Sequence, residues 1–206
     1  MNEAMHARRD LAFIKAVAED KGALPSALGW HLIAIGLIFG LEFVHIWAVF
    51  TGRVPWPEAL EALPWLPGLI AYIPANLLIN LRGRHMAWGP TARAFGAAWA
   101  AMGMMIVLAV AVLLIGQIQA GNPFFMVWPA LAFVLYGGAW IVAAMVRGGL
   151  WHWLTASGCF AIALLCAVLI RDSAQWLVLA AGMLAFVALP GLAILRSARE
   201  RRNIFP

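Results

Sequence analysis

Apolar residues in this chain are gathered into six long runs, and the short stretches between and beyond them hold nearly all of its charges. The runs cover residues 26–50, 64–81, 94–116, 124–146, 150–170 and 173–195. A helix needs about 20 apolar residues to cross the hydrocarbon of a bilayer, and the runs lie near that length. The expected fold is therefore all-α: a six-helix transmembrane bundle.

The runs differ in ways that predict local structure. The second is the shortest and contains Pro67 and Pro74, which are expected to break it. In the third, Gly96, Ala100 and Met104, with Ala97 and Ala101 beside them, form a small-residue face suited to close helix packing. In the fourth, Pro129 is expected to kink the helix and Gly137-Gly138 to loosen it. The fifth opens on Trp151, His152 and Trp153, and the sixth carries Pro190 near its end.

The first run, SALGWHLIAIGLIFGLEFVHIWAVF, holds Glu42, the one acid deep inside an apolar stretch. At about 100° per residue, His31, Ile35, Ile38, Glu42 and His45 fall within about 80° of one another on a helix. An ionised carboxylate facing lipid costs several kcal/mol. The stripe is thus expected to face protein or a wet cavity, with this helix at the bundle's centre.

Residues 1–25 mix charges of both signs, unlike the basic start of a signal peptide. The apolar run that follows is too long for a signal's core and lacks a small-x-small cleavage site, so it reads as an uncleaved first span. Within the leader, Leu11, Phe13, Ile14, Val17 and Ala18 share one side of a helix over Ala7–Asp20, with Arg8, Arg9, Lys15 and Glu19 mostly opposite. That pattern predicts an interfacial amphipathic helix; docking of a cytoplasmic partner is the alternative use. Residues 196–206 form a basic tail.

Composition agrees with a lipid environment. The chain is 65% hydrophobic and 11% charged, with a mean hydropathy of +0.89; soluble domains run nearer 45–50% apolar and 25% charged. The pI near 10.0 invites a nucleic-acid reading, but the positions of the cations exclude it. With the N-terminus inside, twelve Arg and Lys fall on the inner side (Arg8, Arg9, Lys15, Lys21, Arg82, Arg84, Arg93, Arg147, Arg196, Arg199, Arg201, Arg202) and only Arg53 and Arg171 outside. By the positive-inside rule both termini are cytoplasmic. The same charges suit anionic lipids at the cytoplasmic face.

Candidate chemistry is sparse. Glu42 and His45 form a Glu-x-x-His pair on one helical face. A di-iron bundle would need a second copy and further Glu residues, which the chain lacks. The pair reads either as a structural contact near the outer surface or as a proton- or cation-responsive site, because imidazole titrates near neutrality. Asn76 and Asn80, four apart, share a face and are expected to hydrogen-bond a neighbouring helix. His31 and His152 sit at similar depth near the cytoplasmic ends of spans one and five. They read as interfacial residues or, alternatively, as ligands to haem b or contacts to a quinone. No metal site and no obligatory cofactor is predicted. Cys159 and Cys166 are seven apart in one run, about 10 Å of helical rise and beyond disulfide reach, so both read as core residues.

Of the eleven tryptophans, Trp30, Trp47, Trp56, Trp65, Trp88, Trp128, Trp151, Trp153 and Trp176 lie near span ends and suit an interfacial belt. Trp99 and Trp140 are deeper and are expected to line the bundle. No phosphate loop, nucleophile elbow or Cys-x-x-Cys is present. Outside the leader and tail the acids are Glu42, Glu58, Glu61 and Asp172, which leaves little for general acid–base work.

The stretches RRDLAFIKAVAED, GLIFG, YGGAWIVAAM and ALPG resemble a family of small multi-span membrane proteins of alphaproteobacteria. The resemblance implies a multi-pass protein of the bacterial inner membrane and no activity. The expected function is that of a non-enzymatic accessory, sensing or interaction protein, with membrane lipids and a membrane or cytoplasmic protein as partners. The alternatives are a small transporter or proton/cation-responsive protein using Glu42, His45, Asn76 and Asn80, and a haem- or quinone-binding redox protein using His31 and His152.

Overall fold

The computed structural model describes residues 26–57, 64–83, 90–120 and 127–204. The predicted leader helix, His85 and Trp88 lie outside the described residues. The described chain is helical with short turns and no strand: α1 (Ser26–Phe50), α2 (Leu66–Gly83), α3 (Pro90–Ala120), α4 (Trp128–Arg147), α5 (Leu150–Val168) and α6 (Ala174–Met183), which passes through a π-helical turn (Leu184–Ala188) into α7 (Leu189–Ile204). Five segments are long and apolar enough to cross a membrane: α1, the 96–113 part of α3, α4, α5 and the continuous helix from Ala174 to Glu200. The second run does fold as a helix, but α2 falls short of the others in apolar character. It has 18 residues and carries Pro74, Asn76, Asn80 and Arg82 among them.

Several prolines behave differently from expectation. Pro67 stands in the first turn of α2 and Pro129 in that of α4, so each begins its helix rather than breaking or kinking it. The first turn has no intrahelical acceptor for an N–H, and the fixed φ of proline suits it. Pro74 is accommodated inside α2. Pro190 has no N–H to give to Phe186, and its ring would press on that carbonyl. The widened turn over Leu184–Ala188 takes up the misfit, and the helix continues into the basic tail. Between α4 and α5 the chain reverses through Gly148 (φ 67°) and Gly149 (φ 93°), a backbone that side chains with a Cβ rarely adopt.

The tightest seam joins α1 to the last helix, antiparallel. Gly29 lies against Gly191 and Leu195, Gly36 against Ala188 and the Met183 carbonyl, and Gly40 against Leu184 and the Ala180 carbonyl. A Cβ at Gly36 would stand 2.6 Å from the Ala188 Cβ, and one at Gly191 would stand 2.7 Å from the Gly29 carbonyl oxygen. Glycine is required here because the two backbones nearly touch. At the far end of this seam Phe43 and Phe50 close on Trp176, with centroids 6.0 and 5.9 Å away. Trp176 is thus buried in the bundle, not part of an interfacial belt. α4 and α5 make the second close pair, with Gly137 under the Phe160 ring; Gly137-Gly138 sits in continuous helix. Trp99 and Trp140 are buried as expected, and Cys159 and Cys166 are free thiols in the core.

α2 and α3 are attached more loosely. α2 runs antiparallel along α1, and α3 packs on α4, but α2 and α3 make no extended contact with each other. Among the described residues, no helix packs against the small-residue face of α3. A Cβ at Gly103 would find nothing within 4 Å, and Gly96, Ala100 and Gly103 instead line a cavity.

Candidate functional site

The cavity lies between α1, α2, α3 and α4 and has a volume of about 880 Å³. Its wall is mostly apolar and aromatic, including Phe39, Phe43, Trp65, Trp99, Tyr72 and Tyr136. Against that wall stand a few polar groups: Glu42, His31, Asn76 and Asn80. Of the stripe expected from the first run, His31, Ile35 and Glu42 are brought into one space while Ile38 and His45 are not, and α2 adds its two asparagines to it.

Glu42 sits at one end. Its residue is only 6% exposed, yet Oε1 has no hydrogen-bond donor among the described residues. Two groups approach the carboxylate. His45 Nδ1 is 3.6 Å from Oε1, within ion-pair range but beyond a hydrogen bond. The Gly68 N–H, in the first turn of α2, is directed toward the carboxylate, where the positive end of the helix dipole favours an anion. Gly68 is needed for this approach, since a Cβ there would lie 2.8 Å from Glu42 Cγ. His45 itself is outside the cavity. Its side chain is 26% exposed, and its ring meets Trp56 edge-on at 5.1 Å. The pair therefore divides, with Glu42 in the cavity and His45 behind it.

The other end is neutral. Asn80 Nδ2 donates to Asn76 Oδ1 at 2.9 Å and to the Asn76 carbonyl at 3.0 Å. The two amides thus satisfy one another along α2, where the spacing pointed to bonds with another helix. Across the cavity from them, on α1, stands His31. His31 and Glu42 are eleven residues apart, so about 16 Å of α1 separates the two ends. Tyr72 meets Phe39 at 5.6 Å between them.

His152 is elsewhere. It is buried on α5, with its ring 3.8 Å from that of Trp151 and 6.1 Å from that of Trp140, and it does not line the cavity. The histidine read as interfacial is therefore enclosed by tryptophan, and the structure does not bring it into one space with His31. Among the described residues, no group of three or more His, Cys, Asp or Glu side chains is placed to hold a metal ion.

Sequence reasoning allowed for a cavity beside the Glu42 stripe but missed that Tyr72 and Tyr136 would line it. Both tyrosines lie in ordinary-looking apolar runs, and only the separation of α2 from α3 makes them lining residues. Compared with known protein families, characterised proteins and solved structures, the chain matches none, so the functional reading rests on the site alone.

Proposed function

We propose that this chain is a non-enzymatic, multi-pass protein of the bacterial inner membrane, of the sensing or accessory kind, whose signal or cargo is a small amphipathic molecule held between α1, α2, α3 and α4. The cavity carries this reading. Ligand sites are typically concave spaces of about 300–1,000 Å³, mostly apolar with a few placed polar groups, and this one fits on each count. α2 and α3 flank it without sealing it, so a molecule dissolved in the bilayer has a way in.

In this reading α2 is a sixth span. Its 18 residues rise about 27 Å, and its contacts with α1 run from Glu42 to His31. Its polar residues are tolerated because they face the cavity. Six crossings put both termini in the cytoplasm, in keeping with the twelve-to-two distribution of cations. The proximity of Gly29 to Gly191 and Leu195, which places the start of the first span beside the end of the last, supports this too. The basic tail then meets anionic lipid, and leader and tail are free to engage a protein partner.

The test is native mass spectrometry of protein extracted in mild detergent. Wild-type protein is expected to carry an amphipathic small molecule, and a Gly103→Trp variant to lose it, because that side chain projects into open space in the cavity. An empty wild-type protein, or a ligand retained unchanged by Gly103→Trp, overturns the reading. A transport role for the same cavity would add ligand flux in proteoliposomes.

A further inference from the structure

The charge pattern of the cavity specifies the class of ligand. Among its described lining residues Glu42 is the only acid, and none is Lys or Arg. The carboxylate has an oxygen, Oε1, that is buried and without a donor. Buried carboxylates are costly unless paired. The neighbours present do little to relieve that cost, since His45 stops at 3.6 Å and the Gly68 N–H supplies a single dipole. Around Glu42 the wall is aromatic, with Phe39, Phe43, Trp65, Tyr72 and Trp176, and aromatic faces attract cations and repel anions.

We propose that the cavity binds an amphipathic organic cation, with its charged centre against Glu42 and its apolar body along the aromatic wall toward Asn76 and His31. The proposal builds on the ligand-binding reading above and narrows it to one charge class. His45 stands outside the cavity, behind the carboxylate, and leaves its cavity side to the ligand.

The experiment uses full-length protein in lipid nanodiscs, with empty nanodiscs subtracting partition into lipid. The probes are radiolabelled tetraphenylphosphonium, a lipophilic cation, and triphenylphosphine oxide, an uncharged relative. Wild-type protein is expected to bind the phosphonium saturably. Glu42→Gln is expected to weaken that binding at least about thirtyfold, as for loss of one partner of a desolvated charge pair, and to leave the neutral probe unaffected. His45→Ala is expected to retain the phosphonium. If Glu42→Gln does not assemble, Glu42→Asp carries the test, because it withdraws the charge by one methylene and should weaken the phosphonium alone. Phosphonium affinity unchanged by Glu42→Gln overturns the proposal, and so does an equal loss for both probes. Saturable binding of the neutral probe alone overturns the cation class but keeps the ligand-binding reading. No saturable binding of either probe overturns both.

Discussion

The two sides of α1 solve opposite problems. Toward α6, the π turn and α7, its glycines at 29 and 36 let the helices approach until no side-chain atom would fit between them, and Gly40 continues the same face with slightly more room. Toward α2 the same helix presents His31, Ile35, Phe39 and Glu42 to an open space of about 880 Å³. In a membrane the hydrophobic effect does not distinguish these faces, because lipid tails are as apolar as leucine. Close van der Waals fit holds the first face together. The second keeps its polar groups only because the cavity shelters them from the hydrocarbon. The frame of this molecule is α1, α4, α5 and the last helix, with α2 and α3 set against it as the outer wall of the cavity.

Substitutions can break that contrast in order of size. Trp140 is fully buried and touches Trp99, Trp151 and His152. Truncating it to alanine is expected to cost about 3–5 kcal/mol, read as a large fall in the detergent-solubilised melting temperature; a shift within error would show that the frame does not depend on this residue. Next comes the seam. Gly36→Val places atoms where Ala188 already stands and is expected to cost about 1–3 kcal/mol. Chemical unfolding in mixed micelles measures it, and wild-type stability would refute the close approach.

Gly103→Ala tests the other side with a similar change. Its Cβ meets open space, so removal of a helical glycine should stabilise by about 0.5–1 kcal/mol. A destabilised Gly103→Ala would mean that α3 packs against something at this point. The smallest effect is expected from the amides. A double-mutant cycle on Asn76→Ala and Asn80→Ala should return a coupling of about 0.6 kcal/mol, the usual size for a hydrogen bond between side chains in a membrane protein. A coupling of zero would say that their 2.9 Å contact adds nothing to stability.

Much of the fold was legible because hydropathy and length are local properties. Each of the six apolar runs is helical over most of its described length, and the separateness of Cys159 and Cys166 followed from helical rise alone. The stripe from His31 to Glu42 was legible for the same reason, since one helix period fixes which side chains share a face. The misreadings came from neighbours. The alanines and glycines of the third run have the spacing of a packing face, yet no described helix packs there, whereas the glycines that do pack, Gly29, Gly36 and Gly40, lie in the first run, where the sequence reading takes GLIFG for a resemblance and not for a packing face. Trp176 and His152 sit near helix ends, where sequence suggests an interface, but Phe50, Trp140 and Trp151 enclose them.

By itself, then, the order of residues pointed to a helical chain with six apolar runs near bilayer length, of which the structure gives five as membrane-length helices, and to one acid within an apolar run that shares a helix face with two histidines. These follow from hydrogen bonding within a segment and from the cost of polar groups in hydrocarbon, neither of which needs a partner. Only the tertiary structure decided that Glu42 opens into a cavity while His45 stands behind it, that His152 stays apart from His31, and that α2 and α3 leave a space between them. Those outcomes depend on which backbones come within reach of one another, and that is settled by the fit of surfaces far apart along the chain.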